Sequence, residues 1–140
     1  MRICKLYAAA FLFAACLSCS RNPYAELGLI EVQGIVTVDG IPLPGAKVSF
    51  EGEDLRQAIG ITDAQGHYKL MYDSETPGAL PGMKKVRVTT ADVEVEGDGP
   101  AEGSPETKER IPARYNIDSM LRADVSKAKQ TFDFDLKSKP

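Results

Sequence analysis

From Ile30 onward, apolar residues recur at every second position in short runs cut by turn residues. A period of two turns one side of a strand to a core and the other to water, so each run predicts a half-buried strand. The first run, 30–38, sets Ile30, Val32, Val36 and Val38 on one face, with a slip around Gly34 that predicts a bulge. Asp39-Gly40 predicts a hairpin turn, because both residues tolerate positive φ. Pro42 and Pro44 then predict a stiff connection rather than a strand. The second run, 46–50, points Ala46, Val48 and Phe50 inward and Lys47, Ser49 and Glu51 outward. A third, 58–62, ends in T-D-A-Q-G, a turn that Asp63 would close through nearby backbone N–H groups.

The fourth run, 67–73, turns Tyr68, Leu70 and Tyr72 inward. P-G-A-L-P-G at 77–82 is too rich in proline for a central strand. A fifth run, 84–90, sets Val86 and Val88 against Lys85 and Arg87. The segments 121–125 and 131–136 predict a last hairpin across S-K-A-K-Q, with Phe132, Phe134 and Leu136 toward the core. No segment sustains a 3.6-residue apolar period, so helix is limited to a turn or two. Seven short strands at this spacing predict an all-β sandwich.

The N-terminus has a different pattern. Arg2 and Lys5 precede a ten-residue uncharged run, L-Y-A-A-A-F-L-F-A-A, which is the anatomy of an export signal. Extended to Ser18, the run still falls well short of the ~20 residues a spanning helix needs. F-A-A-C, ending at Cys16, resembles the bacterial lipobox, in which a thiol is alkylated by a diacylglycerol and the chain is cut just before it. Cys19 in C-L-S-C is the alternative acceptor, and its use would leave no spare thiol behind. This predicts a signal peptide over 1–15, a lipidated N-terminus and tether over 16–29, and a folded body over 30–138. The predicted address is a bacterial membrane, at the outer membrane or cell surface or on its periplasmic side.

Composition narrows the chemistry. All three cysteines lie within the first nineteen residues, and the body holds a single histidine and no tryptophan. That excludes a disulfide scaffold, a Cys/His zinc site and a cysteine nucleophile in the body. Loss of Arg2 and Lys5 with the signal would take the formal charge from −3 to −5, which argues against nucleic acid. No phosphate-binding loop, nucleophile elbow, H-E-x-x-H or EF-hand spacing occurs.

The order V-x-G-x-V-T-V-D-G-x-P-L-P-G-A-x-V-x-F, G-x-T-D-A-x-G-x-Y-x-L, G-A-L-P-G, V-R-V-T, I-P-A-R-Y-N and T-F-D-F-D-L resembles the carboxypeptidase regulatory-like domain. It is similar in particular to small lipoproteins of planctomycete-type bacteria that carry this domain. The resemblance covers about residues 30 to 138. It implies a seven-stranded Greek-key β-sandwich of the prealbumin (transthyretin-like) kind with no established catalysis. A transthyretin-like hydrolase would need several histidines and a tyrosine-containing C-terminal signature, and this chain has neither. The segment 92–110 departs from the family by being longer and more acidic, with seven acids against two bases.

Candidate chemistry is sparse. The acidic insertion 92–110 offers carboxylates to a divalent cation, although its spacing matches no known loop and a solvated spacer accounts for it. No other cofactor is expected. His67, in the outward phase just after a turn, reads as a surface residue. Arg114, Tyr115 and Asn116 form a possible binding surface for a peptide or sugar, set against a packing role for Tyr115 and a turn role for Asn116. The expected function is a non-catalytic, membrane-tethered adaptor that engages an envelope protein or glycan. The alternative is a structural spacer of the envelope.

Overall fold

In the computed structural model the described residues are 25–53, 56–90 and 109–139. They form an all-β fold of two sheets, with helix confined to two 3-10 turns at Ala25–Leu27 and Ala113–Tyr115. The strands are β1 (Gln33–Val38), β2 (Ile41–Pro42), β3 (Lys47–Glu51), β4 (Gln57–Ile61), β5 (His67–Lys69), β6 (Gly82–Thr89), β7 (Arg122–Val125) and β8 (Phe134–Leu136). One sheet has the order β2-β1-β5, with β8 also on β1; the other has the order β4-β3-β6-β7. All pairs are antiparallel except β1 with β8.

The alternation explains how the two sheets share a core. Ala46, Val48 and Phe50 of the β3 run, Val86 and Val88 of β6, and Ala123 and Val125 of β7 are buried. They meet Val32, Val36, Tyr68, Leu70, Phe132 and Leu136 from the other side. Phe50 is the hinge of this contact. Its ring lies 5.7 Å from that of Phe132 and 6.2 Å from that of Phe134, both near edge-on, and 6.5 Å from Tyr68. Such edge-to-face contacts between aromatic rings add to the gain from apolar burial. Tyr68 keeps its hydroxyl satisfied by donating to the Phe132 carbonyl at 2.7 Å, and burial drives its pKa upward.

Turn chemistry sets the connections. Asp39 (φ 51) and Gly40 (φ 82) both take positive φ, joining β1 to β2 by a two-residue turn. Asp63 closes the turn before β5, accepting from the N–H groups of Gln65 and His67, each at 2.9 Å. Thr62 fixes the corner below it. Its buried hydroxyl donates to Leu43 O at 2.6 Å and accepts from Ala46 N at 2.8 Å.

Four expectations change. No bulge interrupts β1: Gly34 keeps the inward phase, in register with Tyr68. A Cβ there would sit 1.8 Å from Phe132 O, so glycine serves close backbone approach rather than a slip. Ile41–Pro42, expected as a plain connection, forms a two-residue strand at the edge, where proline's missing donor is tolerated. The run 67–73 keeps its ladder only to Lys69; beyond it Met71 bridges Ile59 and Pro77, and Tyr72 is only half-buried.

The fourth change is the largest. The last two runs do not form a hairpin. Ser126 and Lys129 make a bridge, after which the chain crosses to the other sheet and runs parallel to β1. The inward phase of Phe132 and Leu136 is kept, but on the opposite layer. One further departure is chemical: Lys84 shares the inward phase of Val86 and is buried with it.

Candidate functional site

The outward phase of β3 and β6 builds a polar surface. Antiparallel register places Ser49 opposite Arg87, Lys47 opposite Thr89 and Glu51 opposite Lys85. On the other flank Ser49 faces Ile59, and Glu51 faces Gln57. Side chains opposite one another across a ladder lie about 5 Å apart at Cβ and diagonal ones about 7–8 Å, so Lys47 and Arg87 both reach the space over Ser49. The segment from Glu109 to Ile117 rises beside this face and turns it into a groove of about 410 Å³. Lys47, Ser49, Glu51, Gln57, Arg87 and Thr89 line its floor and sides, and Asn116 and Ile117 its rim. That size falls within the range of small-ligand sites.

Charges in the groove are unevenly committed. Arg87 Nε lies 3.2 Å from Glu51 Oε1, an ion pair that is not aligned as a hydrogen bond. Among the described residues, the terminal nitrogens of Arg87, the ammonium of Lys47 and the amide of Gln57 meet no acceptor. Asn116 is 8% exposed; its Oδ1 accepts from Ile117 N at 2.6 Å, while its Nδ2 is buried without a partner. Leaving a buried donor unmatched costs about 1–3 kcal/mol.

Glu109 closes the base of the groove and is fully used. Its carboxylate accepts from the Thr89 hydroxyl at 2.5 Å, the Thr90 hydroxyl at 2.7 Å and Thr90 N at 3.0 Å. It also accepts from Arg110 N at 3.1 Å and Ile111 N at 3.3 Å. Partial burial pushes its pKa up, but the two threonine hydroxyls and the backbone donors outweigh this and hold it at about 2. It clasps the end of β6 to the segment that leads into the Ala113–Tyr115 turn. Residues 92–108 of the acidic insertion, the signal region and both Cys16 and Cys19 lie outside the described residues.

The triad Arg114, Tyr115 and Asn116 is divided by the structure. Arg114 stacks over the Tyr115 ring at 4.9 Å, and its Nη2 donates to Lys137 O at 2.6 Å and Lys139 O at 2.7 Å. Tyr115 accepts from Lys137 N at 3.0 Å through its hydroxyl. Desolvation raises the Tyr115 pKa, but the hydrogen bonds from Arg114 and Lys137 outweigh it and bring it down. These two residues therefore hold the tail after β8, and only Asn116 turns to the groove. His67 is exposed at 3.7 Å from Asp63, away from the groove lining. Among the described residues no group of three or more His, Cys, Asp or Glu is placed to hold a metal ion, and no helix is long and apolar enough to cross a membrane.

Lys47, Ser49 and Arg87 escape a sequence reading because each, taken alone, is an ordinary outward residue of a strand. The legible signal was their phase: K-V-S-F-E and K-V-R-V-T present polar residues on the same side once the two strands are neighbours. Compared with known proteins, the chain matches no family model, no curated protein and no solved structure.

Proposed function

We propose that this chain is an exported, lipid-anchored, non-catalytic binding module of a bacterial cell envelope. In this reading residues 1–15 are the signal peptide and Cys16, or alternatively Cys19, carries the lipid. The body is a seven-stranded Greek-key sandwich of the carboxypeptidase regulatory-like kind, the two-residue β2 being an edge addition. The observation that carries the binding role is the groove over Ser49, where the ammonium of Lys47, the terminal nitrogens of Arg87 and the amide of Gln57 stand without acceptors among the described residues. The spacer reading draws on Arg114 and Tyr115, whose polar groups are spent on the tail. No catalytic role is assigned: the lone imidazole lies outside the groove lining.

Two experiments test this. Acyl labelling in cells should be lost in Cys16→Ser; labelling kept there and lost only in Cys19→Ser moves the anchor to the second thiol. Labelling kept in the double variant removes both thiols as the anchor, and an unlabelled wild type removes the lipid. Crosslinking in intact envelopes should capture a saturable partner, and a blank result leaves the spacer.

A further inference from the structure

We propose that the groove over Ser49 recognises a carboxylate side chain presented by a peptide, with Arg87 and Lys47 holding the anion. This rests on the binding-module reading and deepens it by assigning the chemistry of the ligand. The groove contains two acids and two bases, but Glu109 accepts hydrogen bonds from Thr89, Thr90, Arg110 and Ile111, and Glu51 is turned to Arg87 Nε. The remaining capacity is that of donors: the two terminal nitrogens of Arg87 and the ammonium of Lys47, none with an acceptor among the described residues. The planar fork of a guanidinium matches a carboxylate by two parallel hydrogen bonds, and a flexible lysine adds a point charge.

The position supports the same conclusion. Arg87 is directly opposite Ser49 and Lys47 is its strand neighbour two residues away, so both cations flank one small hydroxyl. Ser49 is 5% exposed, and with a larger residue there the space would be filled. The polar groups nearby are amides, Gln57 on β4 and the unpartnered Nδ2 of Asn116 at the rim. The exposed carboxamide of Gln57 complements a peptide carbonyl. Among the described residues no aromatic ring lines the groove to stack on a sugar face, which favours a peptide over an acidic glycan.

The test is a titration of the ¹⁵N-labelled full chain in detergent micelles with acetyl-Ala-Glu-Ala-amide, its glutamine counterpart and galacturonate. The glutamate peptide should move the backbone signals of Ser49 and Arg87 and the side-chain amide of Asn116. The glutamine peptide should bind about tenfold more weakly or worse, and Arg87→Gln and Lys47→Gln should each weaken the glutamate peptide by a similar factor. Added salt should weaken it as well. Two exposed-face substitutions are used so that a folding defect in one, seen as lost signal dispersion, leaves the other to decide. Equal binding of the two peptides, no movement of the groove signals, or tighter binding of galacturonate overturns the proposal. Envelope crosslinking of wild type and Arg87→Gln separates the two levels. A partner captured equally by both removes only the carboxylate assignment, whereas no partner from either removes the binding module itself.

Discussion

Replacing one hydrogen of Gly34 by a methyl group would set carbon 1.8 Å from the Phe132 carbonyl oxygen and 3.0 Å from the Tyr68 ring. Backbone oxygen cannot step aside as a flexible side chain can. Gly34→Ala is therefore expected to cost about 3 kcal/mol or more, at the upper end of overpacking effects, measured by urea denaturation. Gly40, whose Cβ would meet nothing within 4 Å, differs in kind: its φ of +82 is the only demand on it. Glu109 supplies the second residue-scale test. Its folded pKa of about 2 lies below the ordinary 4.5, so its contribution is complete above the unfolded value and is lost as pH falls toward 2. Allowing for solvent on its outer side, Glu109→Gln should cost about 1–2 kcal/mol near neutrality. The difference between variant and wild type should close in acid denaturation profiles recorded near the lower pKa; a gap that persists there would assign the effect to packing instead of charge.

At the scale of elements, the strand that crosses between sheets depends on a few polar ties. Tyr68 donates to Phe132 O in the core, and the Asp133 carboxylate accepts from Ile35 N at 2.9 Å. Tyr68→Phe keeps the ring and leaves that carbonyl without its donor, so a loss of about 1–2 kcal/mol is expected in thermal unfolding. A change no larger than the error of the measurement would show that the ring alone holds the strand. Arg114→Ala should leave the core intact but speed hydrogen exchange at Lys137, where Tyr115 and Arg114 grip the backbone. Strand positions were readable from the sequence because Ala46, Val48, Phe50, Val86 and Val88 obey a strict period of two. Partners were not. Phe132-Asp-Phe-Asp-Leu136 has the same inward phase whether it pairs with β7 or with β1, and only three-dimensional space around Gly34 chooses between them. The groove was hidden for the same reason, since Ser49 and Arg87 are far apart in sequence and meet only through the ladder of β3 and β6.

For the whole molecule, the two layers divide the labour. The layer of β1, β2, β5 and β8 holds the termini of the described body, and Asp39 fastens its end by accepting from Ser138 N at 3.2 Å and from the Ser138 hydroxyl. The hydrogen bonds from Ser138 hold the Asp39 carboxyl below its usual range. The opposite layer leaves its outer face for the groove. The 3-10 turn at Ala113–Tyr115 links these tasks, because Arg114 and Tyr115 reach the tail while the next residue, Asn116, reaches the groove rim. Asn116→Asp places a carboxylate in the same groove lining as the two cations. It should weaken the glutamate peptide in the same titration by roughly tenfold, through competition within the site. Unchanged peptide affinity in that variant would separate Asn116 from the site.

The parallel pairing of β1 with β8 also has a consequence in time. Val36 waits for Phe134, ninety-eight positions later, and among the described residues no earlier strand fills that side of β1. Closing so long a loop is slow, and until it closes the edge of β1 and the Phe50 ring stay open to other chains. The body must therefore be synthesised nearly to its last strand before its first strand is sealed, and a chain halted before Thr131 would be a ready substrate for chaperones and proteases.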